Sequence, residues 1–235
     1  MTHFVLLHGA WHGGWCWTRV ADILRTRGHR VTTPTQTGLA ERSHLMSPEI
    51  TLTTFGEDLV NHLIFEEAEN IVLVGHSFGG NAISYAAEAQ RDRIARLVYL
   101  AAAIVESGET PLSRSPSDVA ALRRQMAEDS SGGLTLPPPP AEAMGVTDPA
   151  DAAWLEAKMT PHPFRTFETP LEITGPPGAG LPAEYIVCTD PIYGPLVDAR
   201  ARARAYGWPI REIAAGHDCM VTAPEALANL LETAP

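Results

Sequence analysis

The sequence predicts an α/β fold, with a mostly parallel, doubly wound sheet and an inserted, mainly helical cap. Three observations predict it. Strand and helix patterns alternate along roughly the first hundred residues. An aliphatic run at 71–74 stops at a glycine-flanked turn and continues as a helix of small residues. From about residue 105 to 181 the alternation gives way to turn-rich and proline-rich sequence. We therefore expect a core of residues 1–104 and 182–235, with 105–181 as a cap.

Each element follows from its hydrophobic period and its end signals. The helix predicted over 14–27 places Trp17, Val20 and Leu24 on one face, and Thr51 to Thr54 supply an N-cap region for the next helix. The strands are expected at 2–7, 30–33, 70–74, 96–105, 183–189 and 209–213, and the core helices at 14–27, 53–65, 77–90, 197–206 and 222–231. In the cap, helices are expected at 118–129 and 149–159, and the four prolines at 137–140 form a rigid loop rather than a partner's ligand.

The most informative motif is Gly75-His76-Ser77-Phe78-Gly79, which lies between a predicted buried strand and a predicted helix. In a sharp turn from strand to helix, the central serine adopts a strained backbone conformation that glycine neighbours accommodate. Its hydroxyl is then exposed above the sheet at the positive end of the helix. The pattern indicates a nucleophile elbow, with Ser77 as the nucleophile.

A nucleophilic serine needs a base and an orienting acid, which in this arrangement follow it along the chain in the order acid, then histidine. His217 follows a glycine just past the last predicted strand, so it is the predicted base. Asp190 ends the predicted strand 183–189, so it is the predicted acid. Asp198, which would also suit a helix cap, and Glu106, after the strand at 96–105, remain alternatives.

The loop after the first strand is rich in glycine, and its backbone can approach a substrate closely. The backbone N–H groups of Ala10 and Phe78 are the predicted oxyanion donors. Trp11, His12 and Trp154 are the candidates for the substrate pocket, with Met126, Met144 and Phe164 adding apolar walls from the cap. His8 and His12 do not indicate zinc, because no helix or third ligand accompanies them.

Several segments resemble a known family. HGAWHGGWCW, TPTQTGLAERSHL, GHSFGG, YIVCTD and GHDCMVTAPEALANLL together resemble the compact α/β-hydrolases related to plant methyl salicylate esterases and hydroxynitrile lyases. The resemblance covers residues 1 to about 104 and 182 to 235. It implies the α/β-hydrolase fold and the triad Ser77, Asp190 and His217, although the family's acid often sits one or two residues further on. The lyases' threonine and lysine positions are Gly9 and Asp218 here, which disfavours cyanohydrin cleavage.

Composition limits the partners. The net charge of -11 argues against nucleic acid, and no apolar run reaches membrane-spanning length. The three cysteines lack metal or disulfide spacing. We expect a cytoplasmic enzyme that needs no metal or cofactor and has a small-molecule ester as its partner. A homodimer is an open alternative to a monomer.

The predicted function is hydrolysis of small to medium carboxylic esters through an acyl-enzyme. An ester is favoured over an amide, because expelling an amine demands better protonation of the leaving group. Two alternatives use the same scaffold: a lyase or cofactor-free oxygenase, in which Ser77 would be dispensable, and a small-molecule receptor, which would show little turnover.

Overall fold

A computed structural model describes residues 1–234, and its centre is a six-stranded parallel sheet. The strands of the chain are β1 (His3–Leu7), β2 (Arg30–Thr32), β3 (Ile71–His76), β4 (Ile94–Leu100), β5 (Thr135–Leu136), β6 (His162–Pro163), β7 (Ala183–Cys188) and β8 (Ile210–Ile213). The order in the main sheet is β2-β1-β3-β4-β7-β8, and every pair in it is parallel. This confirms the predicted mostly parallel sheet.

Helices flank this sheet. They are α1 (Thr18–Thr26), α2 (Leu52–Phe65), α3 (Gly79–Ala89), α4 (Ser117–Ser131), α5 (Pro149–Glu156), α6 (Arg165–Glu168), α7 (Val197–Ala205), α8 (Cys219–Thr222) and α9 (Pro224–Glu232). Among these helices, α1 packs against α9, and α2 packs against α3. The chain moves outward from β1 to β2 and then returns to β3 on the other side of β1. Because such crossovers are right-handed, this reversal places α1 and α2 on opposite faces, which makes the sheet doubly wound.

The reversal also determines where a site can form. The loops that follow β1 and β3 leave the sheet in opposite directions, so a crevice opens between them at the carboxyl ends of the strands. Both strands are buried along their whole length, which explains their nearly continuous apolar sequences. The turn after β3 carries Ser77, and the loops after β7 and β8 carry Asp190 and His217.

Local chemistry explains where the elements begin and end. Thr51 and Thr54 form the capping box of α2, with each side chain oxygen accepting a hydrogen bond from the other residue's N–H. The predicted helix 14–27 begins instead with a 3₁₀ turn at Gly14–Trp17. The predicted helix 222–231 is divided between α8 and α9, because Pro224 starts a new helix.

β4 ends five residues before the predicted boundary of 105, at Leu100. Ala101 has a positive φ of 39°, a conformation that ends the strand. Residues 103–105 are apolar because they line the crevice, and not because they belong to the sheet.

Residues 105–181, the predicted cap, contain α4, α5, α6 and the small antiparallel pair β5 and β6. The sequence predicted the first two helices in this segment, but it did not predict the strand pair. Among residues 1–234, no helix combines the length and the apolar character that crossing a membrane requires.

Candidate active site

Ser77 has the backbone conformation that the elbow motif predicts. Its φ is +53°, in the left-handed region that a residue with a side chain rarely adopts. The surrounding chain holds it there, because its N–H donates to the Leu100 carbonyl oxygen at 3.1 Å and its own carbonyl accepts from the Ala103 N–H at 2.8 Å. A Cβ on Gly9 would come within 2.7 Å of the Ser77 Cβ, so this glycine permits the close approach of the two loops.

Ser77 and His217 are in direct contact. The Ser77 Oγ lies 2.9 Å from the His217 Nε2, a distance at which the hydroxyl can pass its proton to the ring. The ring of Tyr193 stacks on His217, with centroids 4.0 Å apart, and His76 Nε2 donates to the His217 carbonyl oxygen at 3.0 Å. Burial, with a smaller contribution from His12, lowers the pKa of His217 to about 3, so the ring is a neutral acceptor at pH 7.

The third member of a triad has no such contact in this structure. The Nδ1 of His217 is buried and has no hydrogen-bond partner within residues 1–234. Asp190 lies in the loop after β7 with its side chain exposed, and its N–H donates to the Ala215 carbonyl oxygen at 3.1 Å, two residues before His217. The loop that bears Asp190 thus lies beside the loop that bears the base.

The two rival acids have other partners. Asp198 accepts a hydrogen bond from Arg114 at 2.9 Å, and it does not cap α7. Glu106 accepts from the Tyr206 hydroxyl at 3.0 Å. A fourth carboxylate, which sequence reasoning did not consider, is buried next to the base: an oxygen of Asp218 lies within 4.8 Å of a ring nitrogen of His217.

The two predicted oxyanion donors lie at the cavity beside Ser77. Ala10 and Phe78 both line it, and neither N–H donates a hydrogen bond to any group in the described part of the chain. The other side of the Ala10 peptide is held in place, because its carbonyl oxygen lies 2.6 Å from the Nδ1 of His12. Two free N–H groups at a nucleophile can stabilise an oxyanion.

His12 is therefore not a pocket residue. It is almost completely buried behind the Ala10 peptide, and its Nε2 faces the carboxylate of Asp218. We expected His12 to line the cleft. The structure differs, because the loop turns this ring inward.

Trp154 also differs from the expectation. Its ring packs edge-on against Trp15, with centroids 5.1 Å apart, and lies beneath the guanidinium of Arg19. It does not line the cavity that contains Ser77. Of the three predicted pocket residues, the structure places only Trp11 in the cavity wall.

The cavity wall includes side chains that were not among the predicted pocket residues. Phe167 packs against Phe78, with ring centroids 4.7 Å apart. The guanidinium of Arg123 lies over the Phe167 ring, 5.6 Å from its centroid. Tyr193 covers His217 from the loop after β7. The remaining wall is formed mainly by small and apolar groups: Ala103, Ile104, Val105, Pro111, Pro195, Leu196 and Ala199. The cavity is mostly apolar, as a site for small organic ligands is expected to be.

Trp11 joins the first loop to the segment 105–181. It has a positive φ of 65°, its N–H donates to the His162 Nδ1 at 3.3 Å, and its indole N–H donates to the Leu136 carbonyl oxygen at 3.0 Å. Its own carbonyl accepts from the Thr160 N–H at 2.9 Å. Three hydrogen bonds thus maintain a conformation that costs on the order of 1–3 kcal/mol.

Comparison with known proteins identifies relatives of this chain. The chain matches the Alpha/beta hydrolase family over residues 4–230. It is 36% identical to the carbendazim hydrolyzing esterase of Nocardioides sp. (strain SG-4G), over 98% of both chains. It is 35% identical to methylesterase 2 of Arabidopsis thaliana, in a match that spans 46% of this chain and 42% of that protein.

Solved structures show the same fold. An extracellular α/β-hydrolase from a Paenibacillus species, described as homologous to tobacco salicylic acid binding protein 2, has a TM-score of 0.83 at 25% identity and covers 98% of both chains. A methylesterase from Arabidopsis has a TM-score of 0.71 at 22% identity, over 99% of this chain and 98% of that one.

The chain therefore belongs to the alpha/beta hydrolase family. Its likeness to the methylesterases places it in the esterase branch of that family, as a carboxylesterase-type hydrolase.

Proposed function

We propose that this protein hydrolyses small to medium carboxylic esters through an acyl-enzyme on Ser77. The observation that carries the proposal is the 2.9 Å contact between Ser77 Oγ and His217 Nε2, at a cavity that also presents two free backbone N–H groups. Nucleophile, base and oxyanion donors are the parts that acyl transfer needs.

The steps follow from these parts. His217 takes the hydroxyl proton as the Ser77 oxygen attacks the ester carbonyl, and the N–H groups of Ala10 and Phe78 stabilise the charge that develops on the carbonyl oxygen. The imidazolium returns the proton to the departing alcohol. Water, deprotonated by the same ring, then attacks the acyl-enzyme and releases the acid. No step draws on a metal or an organic cofactor.

For the orienting acid we retain Asp190. Its N–H donates to the Ala215 carbonyl oxygen, two residues before the base, and the same loop carries Tyr193 over the His217 ring, so Asp190 lies beside the loop whose His217 Nδ1 has no hydrogen-bond partner in the described residues. Asp218 is the competing candidate, because it is buried beside the base and its Oδ1 has no hydrogen-bond partner in the described residues.

The proposal is tested with a panel of p-nitrophenyl and methyl esters of graded acyl length, to which carbendazim is added because a relative is named for its hydrolysis. Ser77→Ala should lower turnover by about 10⁴ or more. Ser43→Ala, at an exposed serine far along the sequence from the elbow, serves as the control and should leave turnover unchanged.

If Ser77→Ala retained more than about a tenth of the activity, the serine would not be the nucleophile, and a lyase or oxygenase reaction on the same scaffold would be favoured. Acylation without turnover would instead favour the receptor alternative.

A further inference from the structure

The cavity beside Ser77 contains a cation without a matching anion. The guanidinium of Arg123, on α4, lines this cavity, and its only hydrogen bond within residues 1–234 goes from Nη1 to the neutral Ser115 hydroxyl, at 2.8 Å. No carboxylate of the described chain pairs with it. Half-buried and stacked on Phe167, it is shielded from water on one side.

The other charges of the cavity neutralise one another. Arg114 and Asp198 also line it, and they form an ion pair of 2.9 Å. Arg123 therefore leaves the cavity with one unbalanced positive charge, in a chain whose net charge is -11. Because the protein carries an excess of carboxylates, an arginine that pairs with none of them at this position calls for a specific explanation.

Arg123 also occupies a defined place along the path of a substrate. A second cavity, which does not include Ser77, shares Arg114, Ser115, Arg123, Pro195 and Asp198 with the one that contains Ser77. Arg123 thus stands where the two cavities meet. A substrate whose ester carbonyl lies at Ser77 and whose chain extends toward the second cavity would pass this guanidinium.

We propose that Arg123 binds an anionic group, in the first instance a carboxylate, at the end of the substrate remote from the ester, so that the preferred substrates are half-esters of dicarboxylic acids. The inference rests on the proposed function and specifies its substrate class. A guanidinium presents paired N–H donors that fit the two oxygens of a carboxylate. Burial lowers the pKa of the Arg123 guanidinium, and a bound anion would offset that desolvation.

The test compares matched ligands on matched variants. Monomethyl esters of dicarboxylic acids, from succinate to suberate, are assayed beside methyl esters in which a methyl group replaces the free carboxylate. Arg123→Gln should lower kcat/KM for the best half-ester by about tenfold or more and leave the neutral partner within about threefold. Arg124→Gln is the control, because Arg124 is the next residue on α4, exposed and paired with Glu168 outside both cavities. It should change neither.

Binding is measured separately from turnover. In the Ser77→Ala background, calorimetry with monomethyl adipate should show binding that weakens about tenfold on adding Arg123→Gln and weakens with added salt. An equal loss on neutral and anionic esters, or no loss on either, would overturn the inference, since the first outcome means packing and the second means no contact. Turnover that survives Ser77→Ala would instead contradict the proposed function, and the binding result would still decide the role of Arg123.

Discussion

The Nε2 of His12 lies 3.0 Å from the Oδ2 of Asp218, in a pair that is almost entirely buried and links two loops 206 residues apart in sequence. His12 is next but one to the proposed oxyanion donor Ala10, and Asp218 follows His217. Each ring nitrogen of His12 faces an oxygen, Nδ1 the carbonyl of Ala10 at 2.6 Å and Nε2 the carboxylate of Asp218. Burial acts to lower the pKa of His12, but the charge and hydrogen bonds of Asp218 and the Ala10 carbonyl raise it overall. The pair therefore links the loop after β1 to the loop that bears His217.

We expect His12→Gln to lower kcat by about ten- to a hundredfold with little change in KM, because the Ala10 N–H would lose its orientation toward charge that develops only in the transition state. Removing one partner of a buried pair also destabilises the fold by about 3–5 kcal/mol. Steady-state kinetics and urea unfolding measure the two effects. His44→Gln, at an exposed histidine, is the control. A KM effect without a kcat effect would assign His12 to substrate binding instead.

The acid is identified by comparing carboxylates. If Asp190 orients His217, Asp190→Asn should reduce kcat by about 10²–10⁴, because the amide favours the wrong ring tautomer. Asp198→Asn and Glu106→Gln should stay within about tenfold of wild type, since both side chains have partners elsewhere.

Asp218→Asn separates the two roles open to that residue. A loss equal to that of His12→Gln would mean that Asp218 acts only as the partner of His12. A loss far larger than that, together with an active Asp190→Asn, would make Asp218 the acid and would show our assignment of Asp190 to be incorrect. Single-turnover measurements of acylation provide the readout.

Trp154→Ala should lower thermal stability and leave the acyl-chain profile unchanged, because this ring packs on Trp15 and Arg19 outside the cavity. The expected cost is about 3–5 kcal/mol at most for a buried aromatic residue and less for this partly exposed one. Phe167→Leu is the matched comparison, since Phe167 lines the cavity and contacts Phe78. It should shift relative kcat/KM among acyl groups. A changed profile in the Trp154 variant would return that residue to the pocket.

Acid should destabilise the protein through histidines that are buried without charge. Burial is the main cause that lowers the pKa of His8 and His217 to about 3, and it takes the pKa values of His76 and His162 well below the usual range. The unfolded chain binds protons at these side chains below about pH 6.5 and the folded chain does not. Their contribution is therefore complete above pH 6.5 and is lost as pH falls toward 3, by about 1.4 kcal/mol per pH unit for each histidine.

His12, whose pKa is raised, contributes in the opposite direction: its stabilisation is present at low pH and is lost as pH rises through its folded pKa. Urea unfolding between pH 7 and pH 5 measures the balance. His8→Gln should make the decline shallower, whereas His44→Gln should not. A decline of equal slope in both variants would exclude His8 as a cause of it.

The sequence predicted what short motifs encode. Ser77 and its turn were predictable because glycines, an apolar strand and a helix of small residues are contiguous. The positions of the core helices were predictable from the hydrophobic period. The end of β4 was not, because the apolar residues at 103–105 line a cavity and produce the same pattern as a strand.

Long-range partners were beyond prediction for a physical reason. The contact between His12 and Asp218 depends on two loops that the sheet brings together. No local sequence pattern indicates that these two residues pair. Arg123 and Arg124 are equivalent in the sequence pattern of α4, but only the former lines the cavity. For Asp218, the one clue in the sequence was its position directly after the predicted base.

Trp11 has a consequence for how such proteins diversify. Inserted segments are commonly regarded as exchangeable modules that alter selectivity while the reaction centre stays constant. Here a single residue, Trp11, adjoins the proposed oxyanion donor Ala10 and is hydrogen-bonded to Leu136, Thr160 and His162 of the predicted cap. A chimaera that replaced residues 105–181 alone would lose the His162 ring and would keep the two backbone hydrogen bonds only if the new segment followed the same path. Recombination between relatives would therefore have to transfer the first loop and the insertion as one heritable unit.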